Sequence, residues 1–136
     1  MSPIFLPDLR NTIDDSFAYK HTIVYNPIKI YGVTTMRSGL TVPQGKIREF
    51  CLRNHIRKLA LFGSVLRDDF GPESDIDVLV EFDSGAEVGF FELYDMEEEL
   101  SLLFGGRKIE IVTQAALSKY FRDEVISRAE VQYAAT

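Results

Sequence analysis

With 136 residues, 46% of them hydrophobic, and a net charge of −6, the chain has room for one domain with one modest core. No apolar run approaches the ~20 residues that cross a bilayer, and no basic segment followed by an apolar one opens the N-terminus. The single cysteine, Cys51, excludes an internal disulfide and fits a reducing cytoplasm, while the acidic balance argues against tight nucleic-acid binding.

Residues 1–40 carry Pro3, Pro7, Pro27 and an Asn-Pro dipeptide, with no sustained helical period. His21 to Tyr31 is rich in β-formers, but Pro27 limits it to an edge strand or two short ones. We read residues 1–40 as an N-terminal extension, poorly ordered or loosely packed, with Met36 as an alternative start and His21 as a plain surface residue. A single domain is expected from residue 41 to residue 136. Thr41-Val-Pro-Gln44 has the form of a helix start, with Thr41 as cap, Gln44 closing a capping box and Pro43 in the first turn. The helix would run to about His55, burying Ile47, Phe50 and Cys51 and leaving Lys46, Arg48, Glu49 and Arg53 in water. Cys51 then reads as a small buried apolar residue rather than a catalytic thiol, and His55 as a residue suited to the helix C-terminus.

The central stretch is Leu59 to Phe82, LALFGSVLRDDFGPESDIDVLVEF. An apolar strand, Lys58 to Phe62, stops at Gly63-Ser64, a short helical turn and loop follow, and a second strand runs from Ile76 to Phe82. Side chains alternate along that strand, so Asp75 and Asp77 share one face while Ile76, Val78 and Val80 enter the core. Two carboxylates ~7 Å apart at their Cα atoms can converge on one cluster of metal ions. Gly63 permits a sharp turn and close approach of a ligand, Ser64 offers a hydroxyl, and the amides beyond them can face an anion. After Asp83-Ser84-Gly85 a helix is expected over Val88 to Phe104, with Leu93, Met96, Leu100 and Leu103 inward and Glu92, Asp95 and Glu97 to Glu99 outward. Gly105-Gly106 ends it. Lys108 to Thr113 reads as a third strand, with Ile109 and Ile111 inward and Glu110 on the opposite face. Ala115 to Ala134 reads as a final helix carrying Leu117, Phe121, Val125 and Ala129. The fold class is α+β, a small mixed sheet flanked by helices.

Three carboxylates on one sheet face repel one another and raise each other's pKa unless cations intervene, and paired Mg²⁺ ions ~3.5–4 Å apart are the usual remedy in phosphoryl and nucleotidyl transfer. Charge is also unevenly spread. No Lys or Arg occurs from Asp68 to Gly106, whereas Lys46, Arg48, Arg53, Arg57, Lys58 and Arg67 precede that span. These basic residues are either a rim for a triphosphate or ordinary solvated positions.

The pattern Gly-Ser, ten residues, Asp-x-Asp resembles the signature of the DNA polymerase β-like nucleotidyltransferase superfamily. The small size and the residues around the motif resemble its minimal branch, the MNT nucleotidyltransferases. The likeness extends to Gly106-Arg107-Lys108-Ile109-Glu110-Ile111-Val112-Thr113, where that family places a third carboxylate. Here the residue is Glu110, where Asp is usual. The resemblance implies that Asp75, Asp77 and Glu110 hold two Mg²⁺ ions and are catalytic. Gly63 and Ser64 would cradle the β and γ phosphates of ATP, and Arg67 would stabilise the leaving pyrophosphate. It further implies an antitoxin partnered with a HEPN-domain toxin in a hetero-oligomer, transferring AMP to a tyrosine hydroxyl of that toxin. A core this small would take its acceptor surface from a partner or from self-association. Two alternatives stay open: transfer to a small hydroxyl compound such as an aminoglycoside, and a catalytically idle antitoxin that acts by binding alone.

Overall fold

The computed structural model describes residues 33–136. Its centre is a mixed sheet of four strands, β3 (Ile56–Phe62), β4 (Ile76–Phe82), β5 (Ile109–Thr113) and β6 (Glu130–Ala134), in the order β5-β4-β3-β6. β4 and β5 run parallel, and the other two pairings are antiparallel. Alternation along the strands sends Leu59, Leu61, Ile76, Val78, Val80, Ile109 and Ile111 into the core. Two helices supply its other half: α1 (Gln44–Arg53) through Ile47, Phe50 and Cys51, and α2 (Phe90–Leu103) through Met96 and Leu100, with Phe104 just beyond. Each large apolar side chain so buried contributes about 1.5–3 kcal/mol. Sliding β4 by one residue would turn Ile76 and Val78 to water and Asp77 inward, so the core itself fixes which way the acids point.

A bulge lets β3 follow this rule despite its sequence. Ile56 pairs with Phe82 and Lys58 with Glu81, which leaves Arg57 as the extra residue, so that Ile56 and Leu59 are both buried. Asn54 and His55 turn the chain from α1 into β3, with His55 in the left-handed region at φ 58°. Among the described residues no helix is long and apolar enough to cross a membrane. Cys51 is fully buried, and its burial pushes the thiol up to about 12, which removes it as a nucleophile.

Several elements differ from the sequence reading. Thr41 does not cap a helix. It lies in β2 (Thr41–Pro43), which forms an antiparallel hairpin with β1 (Val33–Thr35), and the helix begins only at Gln44 with no side-chain cap. Instead of closing a capping box, the Gln44 amide donates to Gln132 Oε1 at 2.8 Å. Val42 and Met36 are both buried with the core. The β-rich segment His21–Tyr31, like the rest of residues 1–32, lies outside the described residues. The helix expected over Ala115–Ala134 is also corrected. Only α3 (Arg122–Arg128) is helical, and the segment after it is β6, paired with β3. Backbone groups on the outer edge of β3 need partners, and Val131 and Tyr133 are better strand than helix formers. Leu117, Phe121, Val125 and Ala129 therefore form no buried stripe. Glu97, expected in water, accepts the Ile111 amide at 2.8 Å and so satisfies a donor on the sheet's other edge strand.

His55 holds a conformation that costs a non-glycine residue about 1–2 kcal/mol, against the lower backbone entropy cost it has relative to glycine. His55→Gly should raise unfolding stability by about 0.5–1 kcal/mol in urea titration, and a loss of stability would show that the imidazole makes a compensating contact.

Candidate functional site

The site is built where β3 ends and β4 begins. Phe62 pairs with Asp77, and the next residue, Gly63, turns the chain at φ 78° into a single 3₁₀ turn, Gly63–Leu66, anchored by the buried Val65. A Cβ at residue 63 would stand 2.3 Å from Asp77 Oδ2 and 3.2 Å from its Cγ. Glycine is therefore required twice, for the backbone angle and for the space taken by the carboxylate. Ser64 donates its hydroxyl to the Asp75 carbonyl at 3.2 Å, which ties the turn to the strand bearing the acids.

The parallel register of β4 and β5 then brings in the third acid. Ile76 stands opposite Ile109 and Asp77 opposite Glu110. Because Ile76, Val78, Ile109 and Ile111 are buried, Asp77 and Glu110 are side by side on the face turned away from the two helices. Asp77 is raised above its ordinary 3.8, first by desolvation, then by the Glu110 and Asp75 carboxylates, with Arg67 pulling the other way. Lys108 Nζ lies 3.9 Å from Asp75 Oδ2, a partly exposed pair.

The donor set is oxygen only and open on one side. That suits Mg²⁺, which keeps waters and phosphate oxygens and is seldom enclosed by protein alone. Among the described residues no three His, Cys, Asp or Glu side chains stand close enough to hold a metal ion between them, so Asp75, Asp77 and Glu110 do not converge on one point. The acids share a face and a field, and the remaining ligands would arrive with the nucleotide.

Arg67 is exposed. Its amide donates to the Ser64 carbonyl at 2.9 Å and its Nε to Asp69 Oδ1 at 3.2 Å. The structure thus places all six residues singled out from the sequence, Gly63, Ser64, Arg67, Asp75, Asp77 and Glu110, around one corner of the sheet. Two neighbours escaped the sequence reading, Arg107 and Lys108. The signal was present, since they are the first cations after the long stretch without any and stand just before Glu110.

Residues 45–131 match the nucleotidyltransferase domain. The chain belongs to this family. It is a nucleotidyltransferase, and the mixed α+β fold agrees with solved members. A protein of Methanocaldococcus jannaschii named as a candidate protein adenylyltransferase is 27% identical over 84 residues, which cover 62% of this chain and 87% of that protein. A second protein of the same organism, named likewise, is 36% identical over 62 residues, 46% of this chain and 61% of that one. Among solved structures, one described as a candidate minimal nucleotidyltransferase is 27% identical with a TM-score of 0.53, covering 63% of this chain and 85% of its own. A toxin–antitoxin with AMP-PNP has a TM-score of 0.57 at 16% identity over 70% of this chain and 76% of that one. A tri-AMPylated Shewanella oneidensis HEPN toxin in complex with its MNT antitoxin gives 0.50 at 17% identity over 68% and 70%. These last two likenesses are of fold.

A carboxylate whose pKa is raised on folding binds more protons folded than unfolded, so its ionisation opposes folding as pH climbs past the ordinary value. The penalty is absent below the ordinary 3.8 and complete above the raised one. In metal-free buffer Asp77→Asn should therefore raise the melting temperature at pH 7, and the gain should vanish by about pH 3.5. A gain independent of pH would contradict the crowding of the three acids.

Proposed function

We propose that the nucleotidyltransferase moves AMP from ATP, with Mg²⁺, to a tyrosine hydroxyl of a HEPN-domain toxin that it accompanies as antitoxin in a cytoplasmic hetero-oligomer. The observation that carries the chemistry is the register that sets Asp77 beside Glu110, with Gly63 packed against the Asp77 carboxylate. In the reaction the acceptor oxygen bonds to the α-phosphorus, the bond from the α-phosphorus to the α–β bridging oxygen breaks, and pyrophosphate leaves. Bound Mg²⁺ would neutralise phosphate charge and lower the pKa of the acceptor hydroxyl. Asp75 and Asp77 would hold the ions from one strand, and Glu110 would hold one from the next and accept the proton that the hydroxyl loses. Its extra methylene relative to aspartate suits a position set one strand further from the phosphate turn. Gly63 and Ser64 present the turn to the β and γ phosphates, and Arg67, already in the field of Asp77, meets the charge that develops on pyrophosphate.

The choice of acceptor is supported by the company the fold keeps. Proteins named for protein adenylylation and structures of toxin–antitoxin pairs are what this chain is similar to.

The test uses ATP labelled at the α-phosphate, Mg²⁺, and the protein encoded beside this one. Label should appear on the neighbour and be lost in Asp75→Ala/Asp77→Ala. Glu110→Gln should slow transfer by about 100-fold or more if it accepts the proton, and an unchanged rate would remove Glu110 from that role. Label on an aminoglycoside instead, or neutralisation of the toxin without any label, would replace the proposed acceptor chemistry.

A further inference from the structure

Between the phosphate turn and the acidic pair runs a loop, residues 67–75, whose own internal bonds are few. The Phe70 amide donates to the Arg67 carbonyl at 3.4 Å, the Ser74 amide to the Gly71 carbonyl at 3.1 Å, and the Gly71 amide to Ser74 Oγ at 3.0 Å. The Ser64 hydroxyl on the Asp75 carbonyl ties the two ends of this segment, but a turn so lightly held between them is free to shift and to strain that bond. A second constraint comes from the start of β5. The Arg107 guanidinium donates to the carbonyls of Gly71 and of Ser74, the latter at 3.0 Å, and its carbon lies 4.3 Å from the centre of the Phe70 ring. One residue on, the Lys108 carbonyl accepts the Ile76 amide at 2.9 Å. One terminal nitrogen, Nη2, thus bridges both ends of a four-residue turn while the planar guanidinium stacks on the residue before it, and the stacking is what an ammonium cannot reproduce.

We propose that Arg107 is a positioning residue for nucleotidyl transfer: it clamps the 70–74 turn so that the Gly63–Ser64 turn and the Asp75/Asp77 pair keep one spacing. The inference rests on the reading of the site given above. It touches neither nucleotide nor metal in this account and acts through Asp75. A misplacement on the order of 1 Å at such a site lowers the rate by about 100-fold.

Arg107→Lys and Arg107→Ala are compared with the wild type for transfer to the neighbouring protein, with melting temperature and amide hydrogen exchange measured on the same samples. Both variants should lose kcat by 10-fold or more, while KM for ATP changes less than 3-fold and the melting temperature by only a few degrees. The half-saturating Mg²⁺ concentration should rise, and exchange at Ser74 and Ile76 should accelerate by 10-fold or more with the core amides unchanged. Lysine should not rescue, because its ammonium has no planar face to lie on the Phe70 ring and reaches the two carbonyls from an unbraced stem. Wild-type kcat in Arg107→Lys, or a loss that only follows a general fall in melting temperature and core protection, would overturn the proposal. Failure of the wild type itself to transfer label would sink the reading of the site. In that case the exchange pattern still decides whether the clamp exists: unchanged exchange at Ser74 and Ile76 would overturn it.

Discussion

The parallel pairing of β4 with β5 is the constraint on which everything else in this molecule depends. It matches Ile76 with Ile109 and Val78 with Ile111 on the buried side, and thereby matches Asp77 with Glu110 on the other. The two faces cannot be set independently, because strand side chains alternate. Apolar burial worth several kcal/mol thus enforces a close approach of like charges that would otherwise spread apart. Desolvation at Asp77 adds to the repulsion rather than relieving it. Hydrogen bonds secure the backbone around this arrangement: Ser64 to the Asp75 carbonyl, Arg107 to the Gly71 and Ser74 carbonyls, and Ile76 to the Lys108 carbonyl.

The construction is economical in chain length. One turn brings the backbone at Gly63 against Asp77, one strand bears two acids, and a neighbouring strand bears the third. Helices α1 and α2 cover the far face of the sheet, while on the near face Ile126 of α3 lies by Ala60 and Leu79, away from the end of β4 that bears Asp75 and Asp77. Glycine at residue 63 permits the φ of 78° that the turn needs, and a Cβ there would have to push the Asp77 carboxylate aside.

How far the sequence disclosed this depends on how local each signal was. Asp75 and Asp77 flank Ile76 in a short apolar run, so strand, face and pairing of acids could all be read from residues in contact along the chain. The same holds for Ile47, Phe50 and Cys51 in α1 and for Met96 and Leu100 in α2, whose spacing is helical. Glu110 was reachable through alternation with Ile109 and Ile111, although its strand's neighbour could not be known from alternation alone. The failures have the opposite character. Thr41 carried a plausible cap, but pairing of residues 33–35 with 41–43 decided its conformation. The C-terminal segment carried a helical stripe, but the unpaired edge of β3 recruited Glu130–Ala134 as a strand. Arg107 stands out in the sequence as the first cation after a long stretch without any, but its bonds run to carbonyls more than thirty residues away, and those partners could not be read along the chain.

A crystal grown with a non-hydrolysable ATP analogue and Mn²⁺ in place of Mg²⁺ would examine the acidic corner directly, since anomalous scattering locates the metal without reference to the protein. Metal density should lie in direct contact with carboxylate oxygens of Asp75, Asp77 and Glu110, with the analogue's phosphates against the Gly63–Ser64 turn. Metal bound by the phosphates elsewhere on the surface, with Glu110 turned away from Asp77, would contradict this assignment of ligands.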